Sequence, residues 1–359
     1  MGFPEKFPSL PRPAILRPRR LPSFILTATA FCMVLFYTLL SLAPCMIPSS
    51  TCYRGFASSW SFDASTVQHA DWMASIPDDT PITSLSIPGT HDTMTYNMTD
   101  NIKLQCQNAN LTTQLESGLR YFDIRARLED DKLRIYHANG FTGFEYDEVL
   151  LAMFDFLDAH PSEAIVMRLK EEGKPIGKAN TRTFEETFNY YLDSSPETAA
   201  GAQSHLYLYD RIRPIPTLGE LRSRIFLLQN FKTGNAKPYG LAWEGDQMVL
   251  EDYWIIPDIY HLADKWTAIR DALMDAATAP LDNKKLHLAH VSASVGVLPI
   301  EAAAGPRNRT VVGMNDMTGQ WLRDFEKVEG VSRTGIVILD FPGRRLVEAI
   351  LDWNKRLMA

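Results

Sequence analysis

The sequence predicts an α/β protein folded as a closed eightfold α/β barrel and preceded by a transmembrane helix. Three observations carry the barrel. Short β-rich runs alternate with longer stretches of helical periodicity, which is the pattern of strands wrapped by helices. The β-rich runs number eight, at 84–88, 121–126, 133–137, 164–169, 224–228, 248–251, 286–291 and 335–340. Several are apolar without interruption, as in Ala164-Ile165-Val166-Met167 and Ile336-Val337-Ile338-Leu339; such runs suit parallel strands covered on both faces. An open doubly wound sheet would also satisfy the alternation, and the count of eight favours closure.

The chain opens on residues 1–23, which hold Pro4, Pro8, Pro11, Pro13 and Pro22 with Arg17, Arg19 and Arg20, a basic leader without helical or strand pattern. Residues 24–42 carry no charge. As a helix those 19 residues rise about 28 Å, near the hydrocarbon thickness of a bilayer. The polar leader ahead of them differs from the compact start of a cleaved signal peptide, so the segment reads as an uncleaved single-pass anchor. The alternative is secretion after signal cleavage. Arginines held in the cytosol place everything after residue 48 in the lumen or outside the cell. Asn97, Asn110 and Asn308 each begin an N-glycosylation triplet, in keeping with export. In that compartment Cys52 and Cys106 either pair or remain two free thiols. A spacer over 43–67 leads to a catalytic barrel over 68–359.

Between the strands, residues 147–159 place Val149, Leu150, Met153, Phe154 and Leu157 at helical spacing, and 261–277 and 344–356 read similarly. The composition, 45% hydrophobic with a formal net charge of −7, supports a large core and gives no basic excess for nucleic acid. Four cysteines without paired spacing argue against a structural zinc site. In barrels of this kind chemistry gathers at the C-terminal ends of the strands. Those ends hold His91 and Asp92, then Asp123 and Arg125, His137, Lys170, Asp252, His290 and Asp340. Two imidazoles, His91 and His137, provide an acid and a base near neutrality. Asp92 and Asp340 are carboxylates able to hold them in defined tautomers, and Arg125 is a planar cation suited to phosphate oxygens.

The blocks Leu85-Ser86-Ile87-Pro88-Gly89-Thr90-His91-Asp92, Phe122-Asp123-Ile124-Arg125 and Tyr136-His137 resemble the X region of phosphatidylinositol-specific phospholipase C of the bacterial type. The order continues through Met167-Arg168-Leu169-Lys170, Leu250-Glu251-Asp252-Tyr253-Trp254 and Val337-Ile338-Leu339-Asp340, across about residues 68–355. The resemblance implies a distorted TIM barrel. It also implies attack of the inositol 2-hydroxyl on phosphorus, releasing diacylglycerol and leaving inositol 1,2-cyclic phosphate, at a membrane lipid. By that similarity His91 is the general base oriented by Asp340, and His137 the general acid assisted by Asp92. Arg125 stabilises the phosphate with Asp123 helping to place it. An arginine in that role, where related signalling enzymes hold calcium, implies catalysis without a metal or other cofactor.

Lys170, Asp252 and Trp254 correspond to headgroup contacts, with Trp254 in place of a tyrosine; an ordinary ion pair of Lys170 with Glu171 or Glu172 and a packing role for Trp254 are the plainer readings. Asn230 stands where the bacterial pattern carries an inositol-contacting arginine, with Lys232 nearby as a substitute charge. His290 has no role in that pattern, which leaves it a structural hydrogen bond. Trp60, Trp72 and Trp243 are aromatics available to a lipid interface. Two other functions remain open: a magnesium-dependent glycerophosphodiester or sphingomyelin phosphodiesterase, and a noncatalytic lipid-binding barrel.

Overall fold

The computed structural model describes residues 23–46, 52–234, 238–282 and 284–358, with side chains of the first segment described for residues 24–39. The proline-rich leader, but for its last residue, lies outside the described residues. Helix α1 (Ser23–Met46) comes first, and the side chains of 24–39 are exposed. Among the described residues no helix is long and apolar enough to cross a membrane, so the expected transmembrane span lacks support there.

The barrel strands are β1 (Ser86–Thr90), β2 (Tyr121–Glu129), β5 (Ala164–Glu171), β6 (Arg224–Asn230), β7 (Leu241–Ala242), β8 (Met248–Glu251), β10 (Leu286–His290) and β12 (Gly335–Leu339). Between them lie β3 (Lys132–His137), β4 (Gly140–Glu145), β9 (Ile255–Ile256) and β11 (Ser294–Val295). The barrel strands pair in parallel in the order β7-β6-β5-β2-β1-β12-β10-β8. Among the described residues no ladder joins β7 to β8, so the curled sheet stays open at that seam rather than closed as expected. The reason is the connection: five residues, 243–247, separate the two strands, whereas a parallel pair needs a crossover of about a dozen or more. The run expected at 133–137 is also not a barrel strand. It forms β3, antiparallel to β2 and β4, in a hairpin that extends the outer end of β2. The eighth barrel strand is β7, whose two residues are too short to leave a periodic trace.

Alternation along each strand separates two cores. Inward residues Ile87, Tyr121, Val166, Phe226, Leu228, Leu286, Leu288, Ile336 and Ile338 fill the barrel. Outward residues of β2, β5 and β6, including Ile124, Met167 and Leu227, pack against Val149, Leu150 and Met153 of α2 (Tyr146–Ala159) and Phe188 of α3 (Phe184–Asp193). On the other side Val337, Leu339 and Ala289 meet α4 (Leu262–Thr278), α5 (Met314–Phe325) and α6 (Arg344–Leu351) through Ile269, Leu273, Leu322, Leu346 and Ile350. The spacing of apolar residues in α2 is thus a packing stripe, and a Glu145/Glu148 capping box starts the helix. A side chain at Gly89 would overlap the Cβ and main-chain oxygen of Tyr121, so the approach of β1 to β2 requires glycine there.

Cys52 takes part in a disulfide, whereas Cys106 is a free, buried thiol, so the two do not pair with each other. Asn97, Asn110 and Asn308 are exposed. Trp60 and Trp243 are buried and therefore unavailable to an interface.

Candidate active site

The alternation that fills the barrel with apolar groups turns polar at the strand ends. The same inward face continues from Ile87 and Gly89 to His91, from Tyr121 to Asp123 and Arg125, and from Val166 to Arg168 and Lys170. On the far side it continues from Leu288 to His290 and from Ile338 to Asp340. Asp252 follows β8, two residues after Leu250. A pocket of about 530 Å³ opens above this layer, lined by His91, Arg125, His137, Lys170, Asp252 and Trp254 among others. Asp92, Asp123 and Asp340 lie buried behind it.

His91 follows β1 directly and its amide donates to Leu339 O at 3.0 Å, tying it to β12. Its Nδ1 lies 2.9 Å from Asp340 Oδ1, so the carboxylate accepts an Nδ1–H and leaves Nε2 with its lone pair. His137 reaches the same place from β3. Its Nδ1 donates to Leu104 O at 2.8 Å, again directing Nε2 inward. Asp92 Oδ2 sits 3.0 Å from His91 Nε2 and 3.2 Å from His137 Nε2, and the ring centroids are 6.1 Å apart. Arg125 completes the group: Nε lies 3.1 Å from Asp92 Oδ1 and 3.0 Å from Asp123 Oδ2, and Nη2 is 2.8 Å from Asp123 Oδ2. Asp92 has φ 42°, a left-handed turn that carries its side chain back under both imidazoles.

Burial, helped by Arg125, holds the His91 pKa well below its ordinary value, which keeps the ring neutral. Burial pushes Asp340 well up and Asp92 up. Burial also raises Asp123, but Arg125 and Arg168 outweigh it and leave that carboxylate well below the usual range. Burial lifts Asp252 to about 6. His91, Asp92 and Cys106 place potential ligand atoms within 4.8 Å of one another. One nitrogen, one carboxylate and one thiol are a poor donor set for magnesium or calcium, which take oxygen ligands. The Arg125 guanidinium beside Asp92 would repel a cation.

The phosphatidylinositol-specific phospholipase C, X domain family matches residues 79–230. The 1-phosphatidylinositol phosphodiesterase of Listeria monocytogenes is 33% identical over 304 residues, covering 81% of this chain and 86% of its own. The chain belongs to the phosphatidylinositol-specific phospholipase C X-domain family. The enzyme of the same name from Staphylococcus aureus is 26% identical over 84% of this chain and 99% of its own. The solved phosphatidylinositol-specific phospholipase C from Listeria monocytogenes superposes with a TM-score of 0.64 at 31% identity, covering 80% of this chain and 99% of that one. The phospholipase C fold of these neighbours and the curled parallel sheet described above agree with a distorted TIM barrel.

The structure brings His91, Asp92, Asp123, Arg125, His137 and Asp340 into one cluster, with Lys170, Asp252 and Trp254 on the pocket wall. Lys170 pairs with Glu172 Oε2 at 2.6 Å, the ordinary ion pair also expected of it, while still facing the pocket. Trp254 is 43% exposed, more a rim than a packing residue. Neither Asn230 nor Lys232 lines the pocket. Arg168, to which the sequence assigns no role, also lines the pocket; its place two residues before Lys170 on the same strand face is the signal for it. Cys106, expected only as a disulfide partner or a free thiol, has its thiol against the Asp340 carboxylate, and nothing local in the sequence marks that contact. His290 is buried with its ring centroid 5.6 Å from that of His91; its Nδ1 meets Ser292 Oγ at 3.4 Å and its Nε2 has no hydrogen-bond partner among the described residues.

Proposed function

We propose that this protein is a phosphodiesterase that cleaves phosphatidylinositol, or a related inositol lipid or anchor, to diacylglycerol and inositol 1,2-cyclic phosphate. One observation carries the mechanism: both imidazoles aim Nε2 at a single Asp92 oxygen while Arg125 holds the other side of that carboxylate. His91, neutral and oriented by Asp340, takes the proton of the inositol 2-hydroxyl at Nε2. The freed oxygen forms a bond to phosphorus, and the bond from phosphorus to the glycerol oxygen breaks. His137 delivers its Nε2 proton to that oxygen, with Asp92 Oδ2 3.2 Å from the same nitrogen. Arg125, fixed by Asp123, faces the phosphate as negative charge builds on it. A hydroxyl already joined to the reacting phosphate spares the entropy of recruiting a nucleophile. Lys170 and Asp252 contact the ring hydroxyls, and Trp254 meets the sugar face.

No step needs a metal. Incubation with phosphatidylinositol in EDTA, followed by phosphorus NMR, tests this: a cyclic phosphate signal is expected. Activity that disappears on chelation would favour a magnesium-dependent phosphodiesterase, and no product with any inositol lipid would favour a binding protein.

Secretion of the barrel after cleavage of the N-terminal segment fits a chain whose described helices do not span a bilayer; retention of α1, whose exposed side chains include Phe24, Phe31 and Phe36, as a lipid anchor is the alternative. Glycosylation at Asn97, Asn110 and Asn308 fits that placement. Carbonate extraction and glycosidase treatment of expressed protein test both points.

A further inference from the structure

The pocket contains a cation that its protein neighbours leave underused. Arg168 lies on β5, paired in register with Asp123 of β2, and lines the pocket although its side chain is only 6% exposed. Its guanidinium carbon stands 3.8 Å from the centre of the Trp243 ring, so the indole covers one face. Polar contacts are sparse: Nη1 reaches Asp123 Oδ1 at 3.3 Å, and the buried Nε has no hydrogen-bond partner among the described residues. Arg125 is the main anchor of Asp123, donating to its other oxygen at 3.0 and 2.8 Å, so the single longer contact from Arg168 leaves most of that fork uncommitted. A buried, stacked cation with an unspent donor is costly unless something else takes the bond.

We infer that Arg168 is a specificity-determining residue that donates to hydroxyls of the inositol ring. The inference rests on the phosphodiesterase reading above and adds a residue to it. Glu172, Asp252 and Glu301 face the pocket together with Lys103, Arg125, Arg168 and Lys170; with Lys170 paired to Glu172 at 2.6 Å and Arg125 turned to the scissile phosphate, Arg168 beside Asp252 is left for ring hydroxyls. A hydroxyl both donates and accepts, so Arg168 as donor and Asp252 as acceptor form a complementary pair for neighbouring ring hydroxyls. Stacking on Trp243 fixes the plane of the fork before the ligand arrives, which reduces the ordering cost of binding.

The test is steady-state kinetics of Arg168→Gln and Arg168→Lys on phosphatidylinositol in mixed micelles, with free myo-inositol as a competitive inhibitor. Both variants are expected to raise KM and the myo-inositol Ki about tenfold or more, with kcat within about threefold of the wild type. A fall in kcat with Ki unchanged would assign Arg168 to holding Asp123 and overturn the inference. If Arg168→Gln fails to fold by circular dichroism, Arg168→Lys decides alone: it keeps the charge beside Asp123 but not the planar fork, and an unchanged Ki refutes the proposal. Wild-type protein that neither cleaves phosphatidylinositol nor responds to myo-inositol sinks the phosphodiesterase reading and this inference with it. Wild-type cleavage with Ki unaltered in both variants sinks only the inference.

Discussion

Replacing Asp340 by asparagine isolates the orientation of the proposed base. Asp340 is 1% exposed and its Oδ1 lies 2.9 Å from His91 Nδ1, so the substitution removes a charge without room for solvent to replace it. The amide has two ways to sit. With its oxygen toward His91 the tautomer survives, but the imidazolium formed on proton transfer no longer faces a carboxylate. With its NH2 toward His91 the lone pair moves to Nδ1, and Nε2 holds a hydrogen where it should accept one. General-base assistance contributes about 10²–10⁴ in rate, and the wrong-tautomer case reaches the upper end. At about 1.4 kcal/mol per tenfold, the barrier rises by about 3–5.5 kcal/mol. The assay is initial formation of cyclic phosphate at saturating phosphatidylinositol, with KM measured alongside because Asp340 lies behind the pocket wall. A kcat within threefold of wild type, or a loss confined to KM, would refute the assignment of His91 as a base held by Asp340.

Three further outcomes are expected. The depressed pKa of His91 keeps it neutral into mildly acidic solution, so the acid limb of kcat/KM should fall below pH 6.5, the ordinary histidine value; a limb above that value contradicts the assignment. Burial also holds His290 well below 6.5, so the unfolded chain binds more protons as pH drops past that point and stability falls. His290→Gln should therefore lose less of its thermal midpoint between pH 7 and pH 5 than the wild type, by differential scanning fluorimetry. Gly89→Ala drives a methyl into Tyr121 and should destabilise the fold by about 2 kcal/mol or more in urea titration, with activity falling in parallel.

Much of this arrangement was legible in one dimension. The ionisable strand ends such as Lys170, Asp252 and Asp340 stand out because each closes or follows an apolar run, whereas the inward position of Arg168 within its run is not marked in that way. The apolar stripe of α2 was equally visible, because helical spacing is local. The strand at 133–137 was legible as a strand but not as part of a hairpin, since nothing in its own residues says which neighbour it pairs with. His137 was therefore placed at a barrel strand end, whereas it enters from beside the barrel.

The sequence by itself determined the alternation of strands and helices, the inward polar positions and the residues capable of acid–base work, because each depends on neighbours within a few residues. The tertiary structure alone decided that β7 and β8 leave the sheet open, that Cys52 and Cys106 stay apart, that Asn230 withdraws from the pocket and that Arg168 rests on Trp243 with a donor to spare. Those outcomes depend on chain crossings and side-chain packing between segments tens to hundreds of residues apart, and no local pattern encodes such distances.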